Sequence, residues 1–472
     1  MLAKTVRSKN NSPWIKELRH DREVKKLEDD EYGDVVIIGG GIAGMVTAFF
    51  TLRFTDKNVI LVEAEKIAHG ATGHNAGQVV DYFEKYFSEI VEEYGLEMAS
   101  KGQNAITSAW DLLDFIFIET GIDINFPKFI GYAGCNNLSQ LLNHFENKLL
   151  KIEGGVSFYK SKVAREFLKN YRIPRRYSEL YEIVPQKEIL ELLETDNEKY
   201  IALLQSRKGC LNSALFVEKL EKYLSEHYKE RFKLFENTKV DKIFLSKSKA
   251  VVETNDKLIE CKNVVLCTNA FENIEIISNK LGDKIDKDYH NMVYGIVGYM
   301  VGFVETHKNN PIAISYFQNK REPSDQDPYF YLTRRNYKYN GRVKSLVCIG
   351  GPEQVHDEDQ YLYYNSHVYP KSALEKIQSF VEKNFRGKYR RNKKFDFKWH
   401  GLMGYTPSGI RIVGPEPSNP VLLYNLGCNG IGILPSIYGG KKIADHLDGK
   451  LLPKTIFDPE VQREVSKKNK FA

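Results

Sequence analysis

The run that most constrains the fold is a strand, a glycine-rich turn and a helix near the N-terminus. Residues 34–38 are rich in β-branched side chains, which is typical of a parallel strand buried on both faces. Gly39, Gly41 and Gly44 follow at once, and apolar residues then recur at helical spacing. Residues 58–63 form a second apolar strand. This order predicts a βαβ unit and therefore an α/β fold with a parallel sheet.

The glycine spacing predicts a site for a dinucleotide. The first glycine allows a tight turn, the second lets the backbone approach a pyrophosphate, and the third lets helix and strand pack closely. The pyrophosphate is then expected at the helix N-terminus, where free N–H groups and the helix dipole stabilise its charge. Glu63 follows 19 residues after Gly44, at the position for the ribose hydroxyls, and an acidic residue there argues against NADP. The sequence therefore predicts NAD or FAD.

The composition excludes several classes of protein. Of the 472 residues 42% are apolar, and the six cysteines form no C-x-x-C pair, so the chain is not collagen-like, disordered or disulfide-rich. The net charge of +6 does not require a nucleic acid or an anionic membrane as partner. No apolar stretch approaches 18 residues, and no apolar region follows the basic N-terminus. We therefore expect no metal site, no integral membrane segment, reduced cysteines and a cytoplasmic location.

Further segments resemble one family of FAD enzymes. The small-residue loop 70–78 is similar to the loop of the D-amino-acid oxidase/glycine oxidase family that passes the pyrophosphate and the isoalloxazine. Residues 238–240 resemble the strand that faces the adenine in that family. Residues 264–270 resemble its Val-Val-Leu-Ala-Thr-Gly-Ala strand, with Asn269 in place of the usual glycine. Residues 399–432 closely resemble its C-terminal flavin segment.

These segments occur in the right order, so the chain is identified as a member of this family. Residues 12–16 also resemble the N-terminal arm of its gamma-glutamylputrescine oxidase-like branch. The resemblance implies FAD as the cofactor, held by a discontinuous Rossmann-like domain of the glutathione-reductase type with an inserted α+β substrate domain built on an antiparallel sheet. The predicted segments are an N-terminal arm (1–33), three parts of the FAD-binding domain (34–102, 205–280 and 395–472) and two parts of the substrate domain (103–204 and 281–394).

The glycine motif and the resemblance together predict the residues that hold the cofactor. Most are small residues in turns, where the backbone can approach a ligand closely. The glycines near position 430 would bring backbone N–H groups to flavin carbonyls, which gain negative charge on reduction. The predicted cofactor residues are Gly39, Gly41, Ile42, Ala43, Gly44, Glu63, Ala64, Gly70, Ala71, Thr72, His74, Asn75, Ala76, Val240, Thr268, Asn269, Gly401, Gly430, Ile431 and Gly432.

Two residues raise the question of a covalent flavin. His74 lies where the dimethylglycine dehydrogenase branch of the family attaches its flavin through histidine. The alternative is a neutral histidine that is hydrogen-bonded beside the flavin or the pyrophosphate. Cys428 is similar to the covalent cysteine of monomeric sarcosine oxidases, but it lies in a different segment.

The resemblance implies oxidation of a C–N bond in an amine or amino acid. A hydride would pass to flavin N5 and the imine would hydrolyse, with oxygen or another acceptor reoxidising the flavin. Arg334 and Arg335 follow a Tyr-rich strand, and a guanidinium can hold a substrate carboxylate through two hydrogen bonds. The alternative for this pair is solvated surface charge. Tyr299 is predicted to line the flavin face, or else to pack in the core.

Three other functions compete with this interpretation. An NAD-dependent dehydrogenase would explain the first glycine motif but not residues 406–432. A non-catalytic or electron-transferring flavoprotein subunit would bind flavin without oxidising an amine. A role in tRNA modification is disfavoured by the small net charge and the lack of an appended methyltransferase domain. The sequence leaves the identity of the substrate and the oligomeric state open.

Overall fold

The computed structural model describes residues 10–19, 21–269, 273–278, 283–285, 292–305, 308–319, 328–356, 363, 367–385 and 395–469. The strands, in chain order, are β1 (Glu31–Ile38), β2 (Val59–Val62), β3 (Gln78–Val80), β4 (Lys128–Cys135), β5 (Ser161–Ala164), β6 (Tyr181–Val184), β7 (Ala202–Cys210), β8 (Phe232–Phe235), β9 (Val240–Leu245), β10 (Ala250–Thr254), β11 (Leu258–Leu266), β12 (Glu275–Ser278), β13 (Asp283–Lys284), β14 (Tyr294–Val304), β15 (Ile312–Phe317), β16 (Tyr329–Tyr339), β17 (Arg342–His356), β18 (Phe397–Tyr405), β19 (Ile412–Pro415) and β20 (Leu422–Leu426). The helices are α1 (Ile42–Phe54), α2 (Phe87–Tyr94), α3 (Leu96–Thr120), α4 (Leu138–Glu153), α5 (Gln186–Leu192), α6 (Ser213–His227), α7 (Lys371–Asn384), α8 (Ile433–Leu447) and α9 (Pro459–Asn469).

The first sheet is built around the predicted βαβ unit. β1 pairs in parallel with β2 on one side and with β11 on the other. β8 extends the sheet beyond β2, and β20 pairs in parallel with the last residues of β11. β9, β10 and β11 form an antiparallel meander. Because β1 is central, Val35, Val36 and Ile37 are completely buried, as the β-branched run predicted.

Two helices cover one face of the first sheet. α1 packs between this sheet, α8 and α6, so residues along its whole length are buried. α8 approaches α1 closely, since a Cβ on Gly440 would lie only 3.0 Å from the Thr47 nitrogen. The apolar spacing of residues 436–447 is typical of a helix. The structure starts it at Ile433, directly after the turn that ends at Gly432.

The second sheet is mainly antiparallel. Its order is β18-β14-β17-β16-β15-β4-β7-β5-β6, with β3 paired to β7, and only β15–β4 and β5–β6 pair in parallel. The predicted strands 329–333 and 345–349 are parts of the longer β16 and β17. Asn340 and Gly341 join these two strands, and their positive φ angles of 49° and 76° are typical of a tight hairpin turn.

The two sheets have the predicted fold class, a Rossmann-like domain with a second domain on an antiparallel sheet. The domain boundaries stay a prediction. Three strands of segments assigned to the FAD-binding domain, β3, β7 and β18, belong to the second sheet. None of the helices in the described part of the chain is long and apolar enough to cross a membrane.

Candidate functional site

The glycine motif forms a tight turn between β1 and α1. Gly39 has a φ of +111°, and a Cβ there would lie 2.7 Å from the Cys267 carbonyl oxygen. A Cβ on Gly44 would lie 1.9 Å from the Gly39 oxygen, so this glycine lets α1 pack against the turn. Gly41 is the N-cap of α1 and provides no side-chain cap. The Ile42 N–H already donates to Thr72 Oγ1 at 3.0 Å, so the following N–H groups of the first turn are the ones that remain for an anionic ligand.

Glu63 lies beside this turn at the end of β2. Its carboxylate accepts hydrogen bonds from the Gly40 N–H at 2.6 Å and from the Glu65 N–H at 3.0 Å. Burial raises the pKa of Glu63. The carboxylate thus holds the glycine turn in place. Glu63 also lines the cavity that begins at this turn.

A cavity of about 440 Å³ begins at this turn and continues to the second sheet. Most of the predicted cofactor residues line it, and the exceptions are Gly44 and Val240. Gly44 acts through packing, as described above. The Val240 side chain is buried in the core on the other face of the first sheet, and its neighbour Lys239 lines the cavity instead.

The small-residue loop 70–78 forms one side of the cavity. The Asn75 amide donates to the Ala71 and Thr72 carbonyl oxygens and accepts from the Gly77 N–H, which holds the loop in a compact turn. His74 places Nδ1 3.0 Å from the Gly70 carbonyl oxygen, and burial lowers the pKa of its imidazole. His74 is therefore neutral near pH 7. A covalent bond from it to flavin stays a prediction.

The N-terminal arm supports this loop from below. Trp14 is completely buried, and its indole N–H donates to the Asn75 carbonyl oxygen at 2.6 Å. A Cβ on Gly77 would lie 2.4 Å from the Trp14 ring, so the loop has a glycine where the ring packs. Sequence reasoning expected residues 1–33 to be a surface arm or a short helix. Trp14, the single tryptophan within residues 1–33, was the sequence signal for a buried anchor.

The C-terminal turn closes the opposite side of the cavity. Gly430 and Asn429 have φ angles of +74° and +46°, a region that glycine and asparagine tolerate. Asn269 also has a positive φ of 61°, and its side chain accepts a hydrogen bond from the Cys428 N–H at 3.2 Å. Asparagine therefore meets the backbone requirement of the usual glycine. Burial raises the pKa of the Cys428 thiol, which disfavours a reactive thiolate.

The residues of the cavity fit FAD. The Thr268 hydroxyl is buried beside it and has no hydrogen-bond partner in the described part of the chain, as expected for a group that contacts a polar ligand. Glu63 suits the ribose hydroxyls, and the bare turn at Gly41 suits the pyrophosphate. No group of three or more His, Cys, Asp or Glu residues that could hold a metal occurs among the described residues.

The far end of the cavity contains residues that sequence reasoning missed. Tyr82, Tyr329, Tyr331 and Tyr405 line it together with Glu353, and we call this group the tyrosine end. A Cβ on Gly430 would lie 2.7 Å from the Tyr405 hydroxyl, so the tyrosine end begins at the C-terminal turn. The alternation of tyrosines at 329 and 331 was a signal for one face of a strand.

Arg334 and Arg335 do not line the cavity, and the expectation that one of them binds a substrate carboxylate is corrected. Arg334 lies on the opposite face of β16 from Tyr331, and its guanidinium makes two hydrogen bonds of 2.7 Å to Glu194. Arg335 lies on the same face as Tyr331 but about 13 Å farther along the strand. It pairs there with Glu17 of the N-terminal arm. Both guanidinium groups are buried and paired, so they are not solvated surface charge either.

Tyr299 also lies away from the cavity. Adjacent residues of a strand point to opposite faces, and Gly298 and Met300 line the cavity while Tyr299 packs behind the sheet. Its hydroxyl is 2.9 Å from His367 Nε2 and 3.2 Å from Gln354 Oε1. Of the two expectations for Tyr299, its position in the structure matches packing in the core and not lining the cavity.

Comparisons with known proteins agree with this geometry. The family model "DAO: FAD dependent oxidoreductase" matches residues 34–446. A Bacillus subtilis (strain 168) protein described as a Rieske 2Fe-2S iron-sulfur protein, YhfW, is 30% identical over 149 residues, which are 31% of this chain and 28% of that protein. The gamma-glutamylputrescine oxidoreductase of Escherichia coli (strain K12) is 35% identical over 66 residues, 14% of this chain and 15% of that protein. The matches thus span 28% and 15% of the length of these two relatives.

The structure is similar to that of glycine oxidase from Geobacillus kaustophilus. The TM-score is 0.64, and the match covers 91% of this chain and 98% of that chain, with 16% sequence identity. At this identity the similarity shows the fold alone.

Proposed function

The chain belongs to the DAO family of FAD-dependent oxidoreductases, and on this premise we propose that it oxidises the C–N bond of an amine or amino acid. FAD is its cofactor. The observation that carries the proposal is the continuous cavity that joins the glycine turn and Glu63 to the tyrosine end. Such a cavity can hold a dinucleotide and a small substrate side by side.

The residues of the chain position the cofactor and the substrate. The start of α1 and Gly41 would hold the pyrophosphate, and Glu63 would hold a ribose. When bound, FAD would supply the two-electron acceptor for oxidation at the carbon next to nitrogen. The substrate nitrogen loses a proton in the same oxidation, and the resulting imine reacts with water to give a carbonyl compound and an amine or ammonia. The tyrosine end supplies the apolar walls that orient the substrate carbon.

Anaerobic reduction of the bound flavin tests this function. We expect at least one compound from a panel of amines, N-methyl amino acids and amino acids to bleach the 450 nm absorption of the FAD-loaded protein. Dithionite serves as the positive control, because it shows that the flavin can be reduced in this protein. If dithionite bleaches the flavin and no member of the panel does, a non-catalytic or electron-transferring flavoprotein subunit replaces the proposed enzyme.

The cavity supports an NAD-dependent dehydrogenase less well than a flavoenzyme. A nicotinamide dinucleotide does not account for the C-terminal turn at Gly430, which lines the same cavity as the first glycine turn. We propose that oxygen or another electron acceptor reoxidises the flavin. The cytoplasmic location stays a prediction.

A further inference from the structure

The tyrosine end is an aromatic enclosure with a carboxylate. Tyr82, Tyr329, Tyr331 and Tyr405 bring four phenol rings to one end of the cavity, and Glu353 lies on the same wall. The rings belong to separate elements, and Tyr329 and Tyr331 alone are neighbours on one strand, with ring centroids 5.8 Å apart. Aromatic rings around a carboxylate form an environment that attracts organic cations.

The side chain of Glu353 has no hydrogen bond or ion pair to another described residue, in contrast to that of Glu84, which accepts a hydrogen bond from Tyr329. Glu353 is an exposed residue and lines the cavity, so a ligand in the cavity can reach its carboxyl group. Protein surrounds it otherwise, so burial, followed by the charge of the neighbouring Glu84, raises the pKa of Glu353 to about 8. A carboxylate in this position gains most from a cationic partner that enters through the cavity.

Glu84 does not occupy the same role. It accepts a hydrogen bond of 2.9 Å from the Tyr329 hydroxyl, and the positive charge of Lys208 partly offsets its own. Lys208 is buried behind the cavity wall, 3.4 Å from Gln78 Oε1 and 3.5 Å from Ser315 Oγ. Glu84 and Lys208 therefore stabilise each other's charged form, whereas Glu353 has no cationic neighbour of this kind among the described residues.

No arginine at this end is available for a substrate carboxylate among the described residues. Arg411 lines the cavity, but its guanidinium donates to Asn425 and to the Gly427 carbonyl oxygen. Arg334 and Arg335 are paired outside the cavity. An amino acid entering with its carboxylate first would meet no free guanidinium among the described residues, and an ionised Glu353 and the faces of the phenol rings would repel it.

We propose that the tyrosine end binds the positively charged nitrogen of an aliphatic amine, with Glu353 as its counter-charge. The inference rests on the proposed oxidation and narrows it, because it assigns the enzyme to amines that lack an α-carboxylate. Glu353 is then the residue that determines specificity between amines and amino acids. The phenol rings supply cation–π contacts and apolar area for the alkyl chain.

Calorimetric titration of the FAD-loaded full chain tests the cation site without requiring turnover. The probe is tetramethylammonium, a cation that cannot be oxidised to an imine, and acetate is the anionic counterpart. We expect tetramethylammonium to bind more tightly than acetate to the wild type, and at least ten-fold more weakly to Glu353→Gln. Glu198→Gln, an exposed carboxylate far from the cavity lining, is the matched control and should bind as the wild type does.

Anaerobic flavin reduction then compares 1-aminobutane with norvaline, which is the same chain with an added α-carboxylate. We expect the half-saturating concentration of 1-aminobutane to be at least ten-fold lower, and Glu353→Gln to remove most of this preference. Tighter binding of acetate than of tetramethylammonium, or a preference for norvaline, overturns the inference, as does unchanged cation binding in Glu353→Gln.

The two proposals fail in different ways. If no compound reduces the flavin, the proposed oxidation fails, while the calorimetric result still decides whether the cation site exists. If amino acids reduce the flavin and no cation binds, the oxidation stands and the inference is wrong. Should Glu353→Gln fail to retain FAD, Glu353→Asp keeps the charge and is expected to bind tetramethylammonium. The ranking of tetramethylammonium against acetate in the wild type decides independently.

Discussion

At the scale of single residues, the glycines of the first turn differ in what an added side chain would displace. Gly39 and Gly44 touch backbone atoms of the turn, so any Cβ there would collide with protein. Gly41 is different, because the nearest atom to a Cβ is the Thr72 hydroxyl at 3.0 Å. A side chain at 41 would instead occupy the space of the ligand. This makes position 41 the better test of cofactor binding.

We predict that Gly41→Val abolishes FAD loading while the protein still folds. The branched side chain would fill the space next to the start of α1 that the pyrophosphate needs. The measurement is the ratio of the 450 nm flavin absorption to the protein absorption after purification, with circular dichroism as the check of folding. Ser248→Val, in the exposed turn between β9 and β10, is the control and should load FAD as the wild type does. Full flavin content in Gly41→Val would contradict the pyrophosphate assignment.

At the scale of elements, the N-terminal arm connects the second sheet to the loop 70–78. Asn11 forms a β-bridge with Lys398, next to β18 residues that line the cavity, and Trp14 packs beneath the loop. Arg335 of β16 stacks over the Trp14 ring at 4.5 Å and pairs with Glu17 of the arm. The arginine that the sequence suggested for a substrate therefore anchors the arm.

We predict that Arg335→Met destabilises the protein and leaves substrate preference unchanged. Removing one partner of a buried ion pair costs about 3 kcal/mol, and the cation–π contact with Trp14 is lost as well. The measurements are the urea concentration at the unfolding midpoint, which we expect to fall, and the ratio of the half-saturating concentrations of 1-aminobutane and norvaline, which we expect to stay the same. Lys338→Met, exposed on the same strand, is the control and should leave the midpoint unchanged. If Arg335→Met raised the half-saturating concentration of norvaline alone and left the stability unchanged, Arg335 would again be a candidate to bind a substrate carboxylate.

At the scale of the whole molecule, the wall of the cavity and the protein behind it contain ionisable groups whose pKa values favour the uncharged form. Burial raises the pKa of the carboxyl groups of Glu63, Asp81 and Glu84, and lowers the pKa of Lys208 to about 8. Burial is also the main cause of the raised pKa of the phenols in the tyrosine end, followed by the charges of nearby groups, Glu84 and Glu353 among them. The fold therefore bears a desolvation cost at the proposed ligand site.

We predict that the thermal stability of the FAD-loaded wild type falls from pH 5 to pH 8 more steeply than that of Glu353→Gln. The folded pKa of Glu353 is about 8 against an ordinary 4.5. The folded state therefore holds an extra proton within this window, and the stability from the neutral form is lost as the pH rises through it. Glu84, Lys208 and the four tyrosines are present in both proteins, so the comparison reports the titration of Glu353 together with its effect on these neighbours. If the melting temperatures of the two proteins changed in parallel between pH 5 and pH 8, the raised pKa of Glu353 would be contradicted.

The sequence by itself determined the cofactor half of the site. A strand, a glycine turn, a helix and an acidic strand end are local features, each set by backbone requirements within a few residues. The same holds for the loop 70–78 and for Asn269, whose positive φ an asparagine tolerates. Their order along the chain was enough to predict the fold class, which the two sheets confirm.

Only the tertiary structure decided the substrate half. Tyr82, Tyr329, Glu353 and Tyr405 are distant in sequence and meet because strands of the second sheet and the loop after β3 converge on the cavity. Which face of a strand turns inward depends on its register with the neighbouring strand, and a shift of one residue exchanges the two faces. The register of β14 and β16 places Tyr299 and Arg334 on the strand faces that point away from the cavity, and it places Arg335 farther along β16. The sequence does not reveal this register, so it suggested all three residues.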